Sequence, residues 1–130
     1  MNHEKLLIES FINIRQKERF LTLLSNPKNR HKLVAYFDHE VELDSRYALK
    51  IPSNQSSLED IKRILLAKGA GNSCYVFSAD SRIDGKELKL SDALAETIGS
   101  GMGTFLSIIP GRLAYYESED VGERYILYKK

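Results

Sequence analysis

Apolar and polar positions along the chain divide it into an early helical part and a late β part. Leu7, Phe11, Ile14, Leu21 and Leu24 keep helical spacing and share one face of a helix predicted over 3–24. Glu18 falls on that stripe, so the polar run 15–19 either faces water or marks a bend. Asn26 followed by Pro27 is a helix start, which predicts a second helix over 27–37 and a helical hairpin. Residues 46–51, RYALKI, read as a strand stopped by Pro52. The next helix begins in SSLEDIKRILLAKGAG. Ser56 with Glu59, or Ser57 with Asp60, has capping-box spacing, Leu58, Ile61 and Leu65 line one face, and Gly69 suits a left-handed cap.

From residue 73 the pattern turns to β. SCYVFS (73–78) is a strand, Asp84-Gly85 is a turn pair before a short strand, and SDALAETIG is a short helix capped by Ser91 and closed by Gly99. The strongest β signal is last: TFLSII, Pro110-Gly111, RLAYYE, and a strand near 123–129. Pro110 and Gly111 fit the centre of a type II turn, with a loop wider than two residues. Helices gather early and strands late. This predicts an α+β fold, with an N-terminal helical hairpin and further helices packed on one face of a mostly antiparallel sheet that ends in a three-stranded meander. The other face would be wet or covered by a second copy.

Composition adds bounds. The chain has 130 residues, of which 42% are apolar and 28% charged, with a net charge of +1. That fits one globular domain over 1–130 and gives no overall bias toward nucleic acid. The charge is uneven: residues 1–32 hold seven Lys/Arg against three Glu, and the remainder twelve against fifteen Asp/Glu. No apolar run approaches the ~18 residues of a membrane span, and the first twenty residues lack a secretion signal's apolar core. The lone Cys74 excludes an internal disulfide. Together these predict a cytoplasmic protein without a membrane segment.

Candidate chemistry is sparse. The run GSGMGTF (99–105) has three glycines at alternate positions, but a helix precedes it and a strand follows, the reverse of a phosphate loop. Gly99 reads as a helix cap. Gly101 and Gly103 read as a tight reversal, or as room for a ligand or partner backbone. Lys28, Arg30, His31 and Lys32 crowd a helix start, where cations are disfavoured unless an anion binds; Lys28, Arg30 and Lys32 are the anion-binding candidates against a plain solvated turn. Asp38, Glu40, Glu42 and Asp44 alternate, but without a calcium loop's glycine and oxygen spacing they read as a charged edge or loop, able to pair with the basic turn before them. His3, His31 and His39 show no zinc spacing, so no metal or other cofactor is expected, and Cys74 reads as buried.

The meander is the richest surface: Arg112, Tyr115, Tyr116, Glu117, Arg124, Tyr125 and Tyr128 lie close together, in the residue types that dominate binding hot spots. Alternation would put one of Tyr115 and Tyr116 in the core and the other on an open sheet face. No nucleophile elbow or other catalytic motif appears. The leading expectation is a small non-enzymatic binding module that uses Arg112, Tyr115, Tyr116 and Arg124 toward a protein partner or a second copy in a homodimer. The alternative is a pocket between helices and sheet for a small anionic ligand, with Gly101 and Gly103 at its lip, Arg112 or Arg124 as anion holders, and Asp80, Asp84 or Glu117 for any acid–base step. Nucleic acid, through the basic N-terminal helices, ranks last, because the meander itself carries acids.

Overall fold

A computed structural model describes residues 2–120 and 122–130. The predicted first helix is two helices, α1 (His3–Phe11) and α2 (Ile14–Leu24). The break falls at Ile12–Asn13 rather than within 15–19. Asn13 leaves the helix and caps α2, its side chain accepting the Arg15 N–H at 2.9 Å. The backbone groups freed there are met by residues 42–44: Asn13 N–H donates to the Glu42 carbonyl and Asp44 N–H to the Phe11 carbonyl, each at 2.8 Å. The break shifts the helical phase, and Ile14 is 77% exposed instead of sharing the buried stripe.

A 3-10 turn at Pro27–Asn29, capped by Asn26, leads into α3 (Arg30–Ala35). Strand β1 (Ala48–Lys50) is followed by α4 (Leu58–Ala67), whose cap is Ser57 accepting from Asp60 N–H. Then come β2 (Ser73–Ser78), β3 (Glu87–Lys89), α5 (Leu90–Thr97), β4 (Thr104–Ile109), β5 (Leu113–Glu117) and β6 (Arg124–Tyr128). Ser91 lies inside α5 and does not cap it. The β4–β5 turn has Gly111 at φ 72°, with Arg112 N–H donating to the Ile109 carbonyl, and Ile109 pairs with Leu113 next to a bulge. The connection is therefore three residues long, which relieves the mismatch between a type II turn and strand twist.

The strands form one antiparallel sheet in the order β1-β6-β5-β4-β2-β3, and β4, β5 and β6 make the expected meander. The α+β class holds, but the helices cover both faces of the sheet. On one face Phe77, Phe105, Ala114, Tyr116 and Leu127 pack with residues of α1, α2 and α3 and with Phe37. On the other, Val76, Leu106, Tyr115 and Ile126 pack with Ile61 and Leu65 of α4 and with Ala93 and Leu94 of α5. The cause is the strands' own sequence. Burying a large apolar side chain is worth ~1.5–3 kcal/mol, so leaving Phe77, Phe105 and Leu127 wet would forgo about 5–9 kcal/mol, as much as a whole domain's stability. Among the described residues, no helix is long and apolar enough to cross a membrane.

The close approach that seats the first layer is at Gly103. A Cβ built there would lie 1.9 Å from the Phe37 carbonyl oxygen and 2.5 Å from the Asp38 nitrogen. Gly103 N–H donates to Asp38 Oδ1 at 2.8 Å. Gly103→Ala is therefore expected to lower stability by at least about 2 kcal/mol, since both backbones must separate. Gly71→Ala, with nothing within 4 Å of the added carbon, is expected to stay within about 0.5 kcal/mol. Urea midpoints at equal slope measure both; equal midpoints for the two variants would contradict this account of the contact.

Candidate functional site

One register row crosses the sheet as a line of rings. Phe77 stands opposite Phe105, Phe105 opposite Tyr116, Tyr116 opposite Tyr125, and Tyr125 opposite Lys50 at the edge. The rings touch: Phe105 and Tyr116 stack at 4.4 Å and Tyr116 and Tyr125 at 6.3 Å between centroids. Phe37 sits edge-on over Phe77 and Phe105, at 4.8 and 4.9 Å. Its carbonyl accepts the Tyr116 hydroxyl at 2.5 Å, which fixes that ring. Beyond Phe37 the row runs into a groove of about 390 Å³ lined by Tyr116, Tyr125, Val41, Leu43 and Ala48, with Asp120, Glu123 and His39 at its polar side.

The segment 38–47 forms the outer wall because it is tied at several points. Glu119 N–H donates to the Asp38 carbonyl, Gln16 Nε2 donates to the Glu40 carbonyl, and Leu43 bridges Ile12. The four alternating acids therefore go separate ways. Asp38 holds Gly103, Glu42 pairs with Arg15 at 2.5 Å and Asp44 with Arg46 at 2.6 Å. They neither share a face nor meet the basic turn, and among the described residues no group of three or more His, Cys, Asp or Glu is placed to hold a metal.

The polar side of the groove carries two carboxylates and an imidazole, from Asp120, Glu123 and His39. Glu123 accepts the Tyr125 hydroxyl at 2.5 Å and lies 3.3 Å from Lys50 Nζ. The Tyr125 hydroxyl, and then Lys50, hold the Glu123 carboxyl below its ordinary value. Burial, and then the Glu123 carboxylate, push the Tyr125 phenol up to about 12. His39 Nδ1 lies 2.6 Å from Glu119, and Asp120 has no ion-pair partner among the described residues.

The other expected residues are dispersed or engaged. Tyr115 and Tyr116 do face opposite ways, but with a helical layer on each side they are 0% and 3% exposed, so neither offers an open sheet face. Tyr115 donates to Glu117 at 2.6 Å, and burial raises its phenol well above the usual tyrosine range. Glu117 also accepts Gly99 N–H at 2.7 Å and pairs with Arg124 at 3.2 Å, while Arg124 donates to the Ser56 carbonyl. Arg112 is exposed at the far turn, away from both. Arg30 is engaged within the fold: it forks onto Glu4 at 2.6 Å and Asp84 at 2.7 Å and stacks on Phe77, while Lys28 and Lys32, the other two anion-binding candidates, remain exposed. Gly99 and Gly101 have positive φ, and Gly103 admits the chain's own Phe37–Asp38 backbone rather than a ligand.

The candidate acid–base groups are held as well. Arg82 draws the Asp80 carboxyl below its usual range, and Asp84 takes Arg30 and the Ser78 N–H. Burial pushes the Cys74 thiol up to about 12. Among the described residues one Ser–His pair exists, His3 Nδ1 with Ser107 Oγ at 2.7 Å, but Ser107 is 1% exposed and the ring is stacked on Tyr75. The groove wall, Val41, Leu43 and Ala48, was not picked out in the sequence. Val41 and Leu43 alternate with the acids of 38–44, and Ala48 is a small residue in a strand ended by proline. No family model matches the chain, and no curated protein or solved structure is similar enough to count as a match.

Tyr125→Phe removes the donor that holds Glu123 charged. The Glu123 carboxyl midpoint, followed by carbon NMR, is expected to rise toward the ordinary value. Because the folded value is depressed, this contribution to stability is present above the ordinary carboxylate range and is lost as pH falls through the folded value. An unmoved midpoint in the variant would assign the depression elsewhere.

Proposed function

We propose that this chain is a non-enzymatic protein-interaction module whose groove receives a positively charged side chain of its partner. The observation that carries this reading is the end of the ring row. The half-buried Tyr125 ring, stacked beside a Tyr116 that the Phe37 carbonyl locks, borders a recess whose polar side carries Glu123 and Asp120. Aromatic faces and carboxylates both attract a cation, and a recess shields the pair from screening. An anionic small molecule would meet carboxylates here; of its expected holders Arg124 is taken by Glu117 and Arg112 lies at the β4–β5 turn away from the groove, and Arg30 is taken by Glu4 and Asp84. A reducing, cytoplasmic setting suits the buried free thiol of Cys74.

The reading is tested with isotope-labelled protein and N-acetyl-arginine methylamide as probe. Amide shifts are expected at Tyr116, Ser118, Glu123 and Tyr125, with affinity falling about five- to tenfold in the double variant Asp120→Asn with Glu123→Gln, a loss of about 1–1.4 kcal/mol. N-acetyl-aspartate methylamide is expected to leave the same amides unmoved. Equal response to both probes, or response of the surface lysines alone, would remove the groove from consideration.

A further inference from the structure

The groove does not stop at the face of the sheet; it opens at the free edge of β1. In the β1–β6 pairing, Tyr128 N–H donates to the Tyr47 carbonyl and Ile51 N–H to the Arg124 carbonyl. Antiparallel bonds alternate, so Tyr47, Leu49 and Ile51 turn their backbone groups to β6, and Ala48 and Lys50 turn theirs outward. β1 is the last strand on that side, and no described segment pairs with it there. Two N–H and two C=O groups thus stand ready for another strand.

Each face beside this edge has a recess. On the first face, Ala48 borders the tyrosine groove, and its small side chain leaves the way to Tyr125 open. On the second, a cavity of about 230 Å³ is lined by Leu49, Ile126, Tyr128 and Lys68. Leu49 is 59% exposed there, and Lys68 Nζ lies 4.5 Å over the Tyr128 ring. Successive residues of an added strand would point alternately into the two recesses. The first, with Glu123 and Asp120, asks for a cation. The second, apolar but already holding Lys68, asks for an uncharged apolar residue.

We propose that an extended segment of a partner protein adds to β1 as a seventh, antiparallel strand, with a Lys or Arg opposite Ala48 and apolar residues on either side of it. This rests on the groove reading above and names the form its partner takes. A second copy of this chain is a poorer occupant. Three edge residues bury far less than the roughly 1,000 Å² expected of a stable dimer, whereas a flexible segment can follow the edge and fill both recesses.

The pairing geometry supplies the test. A residue directly opposite Ala48 exchanges its own N–H and C=O with Ala48, while its neighbours' N–H groups point away. The probe is the blocked peptide Thr-Val-Lys-Val-Thr, titrated into isotope-labelled full chain. The Ala48 and Lys50 amides are expected to shift along with those of Tyr125 and Glu123. N-methylation of the peptide's lysine nitrogen is expected to weaken binding at least about tenfold, and N-methylation of either valine to change it less than about threefold. Lysine-to-glutamate replacement in the peptide is expected to weaken it about tenfold or more. If the lysine-methylated peptide binds as well as the parent, or Ala48 and Lys50 do not move, edge pairing is wrong while the groove reading stands on its own arginine probe. If neither peptide nor arginine probe moves any groove amide, both readings fall. Concentration-dependent shifts of Ala48 and Lys50 without peptide would mean that a second copy holds the edge, which overturns the proposal.

Discussion

The contact on which the first helical layer depends is the seating of Phe37 and Asp38 on Gly103. It couples three kinds of force in two residues. The Phe37 ring fills the space over Phe77 and Phe105, its carbonyl takes the Tyr116 hydroxyl, and Asp38 takes Gly103 N–H with its side chain and Glu119 N–H with its carbonyl. A buried tyrosine hydroxyl without a partner would cost about 1–3 kcal/mol, so burial of the ring row and satisfaction of the backbone depend on each other. Only glycine admits the approach, because any Cβ would occupy the position of the Phe37 carbonyl. The groove begins where this seating ends, so its tyrosine faces are held by the core.

The second layer is pinned differently. Its polar anchor is the row Ser78, Thr104, Glu117 and Arg124, which stand opposite one another across four strands. Ser78 and Thr104 share a hydrogen bond of 2.7 Å, and Glu117 gathers Tyr115, Gly99 N–H and Arg124. A carboxylate that is 3% exposed is tolerable only with such a full set of partners. This set ties the end of α5 to the meander.

Much of the secondary structure was legible in the chain, because caps and turns are local chemistry. Asn26–Pro27, Ser57, Asp84–Gly85 and Pro110–Gly111 each act at the place their residue types demand. The helix break at Asn13 was less visible, since it depends on residues 42–44 supplying the backbone partners. The covering of both faces was in principle readable. TFLSII and LAYYE lack the polar alternation of a half-wet strand, and near-continuous apolar runs are what strands buried on both sides show. The groove was not legible, because it joins the segment 38–47 to β1, β5 and β6 through contacts far apart in sequence.

Charge is answered unevenly across this surface. Arg15 and Arg30 in the N-terminal excess are drawn onto Glu42, Glu4 and Asp84, so part of the positive charge counted in sequence is answered within the fold. The acids of 119–123 are answered less completely: Lys50 serves Glu123 from an exposed position, and His39 serves Glu119. Exposed pairs of this kind are worth at most about 1 kcal/mol and weaken with salt. A cation entering the recess therefore competes with a weakly held lysine, and it meets the half-buried Tyr125 ring beside the carboxylates. The fold answers Arg15 and Arg30 of its basic region with carboxylates, and it leaves Asp120, without an ion-pair partner among the described residues, in the recess beside the open edge of β1.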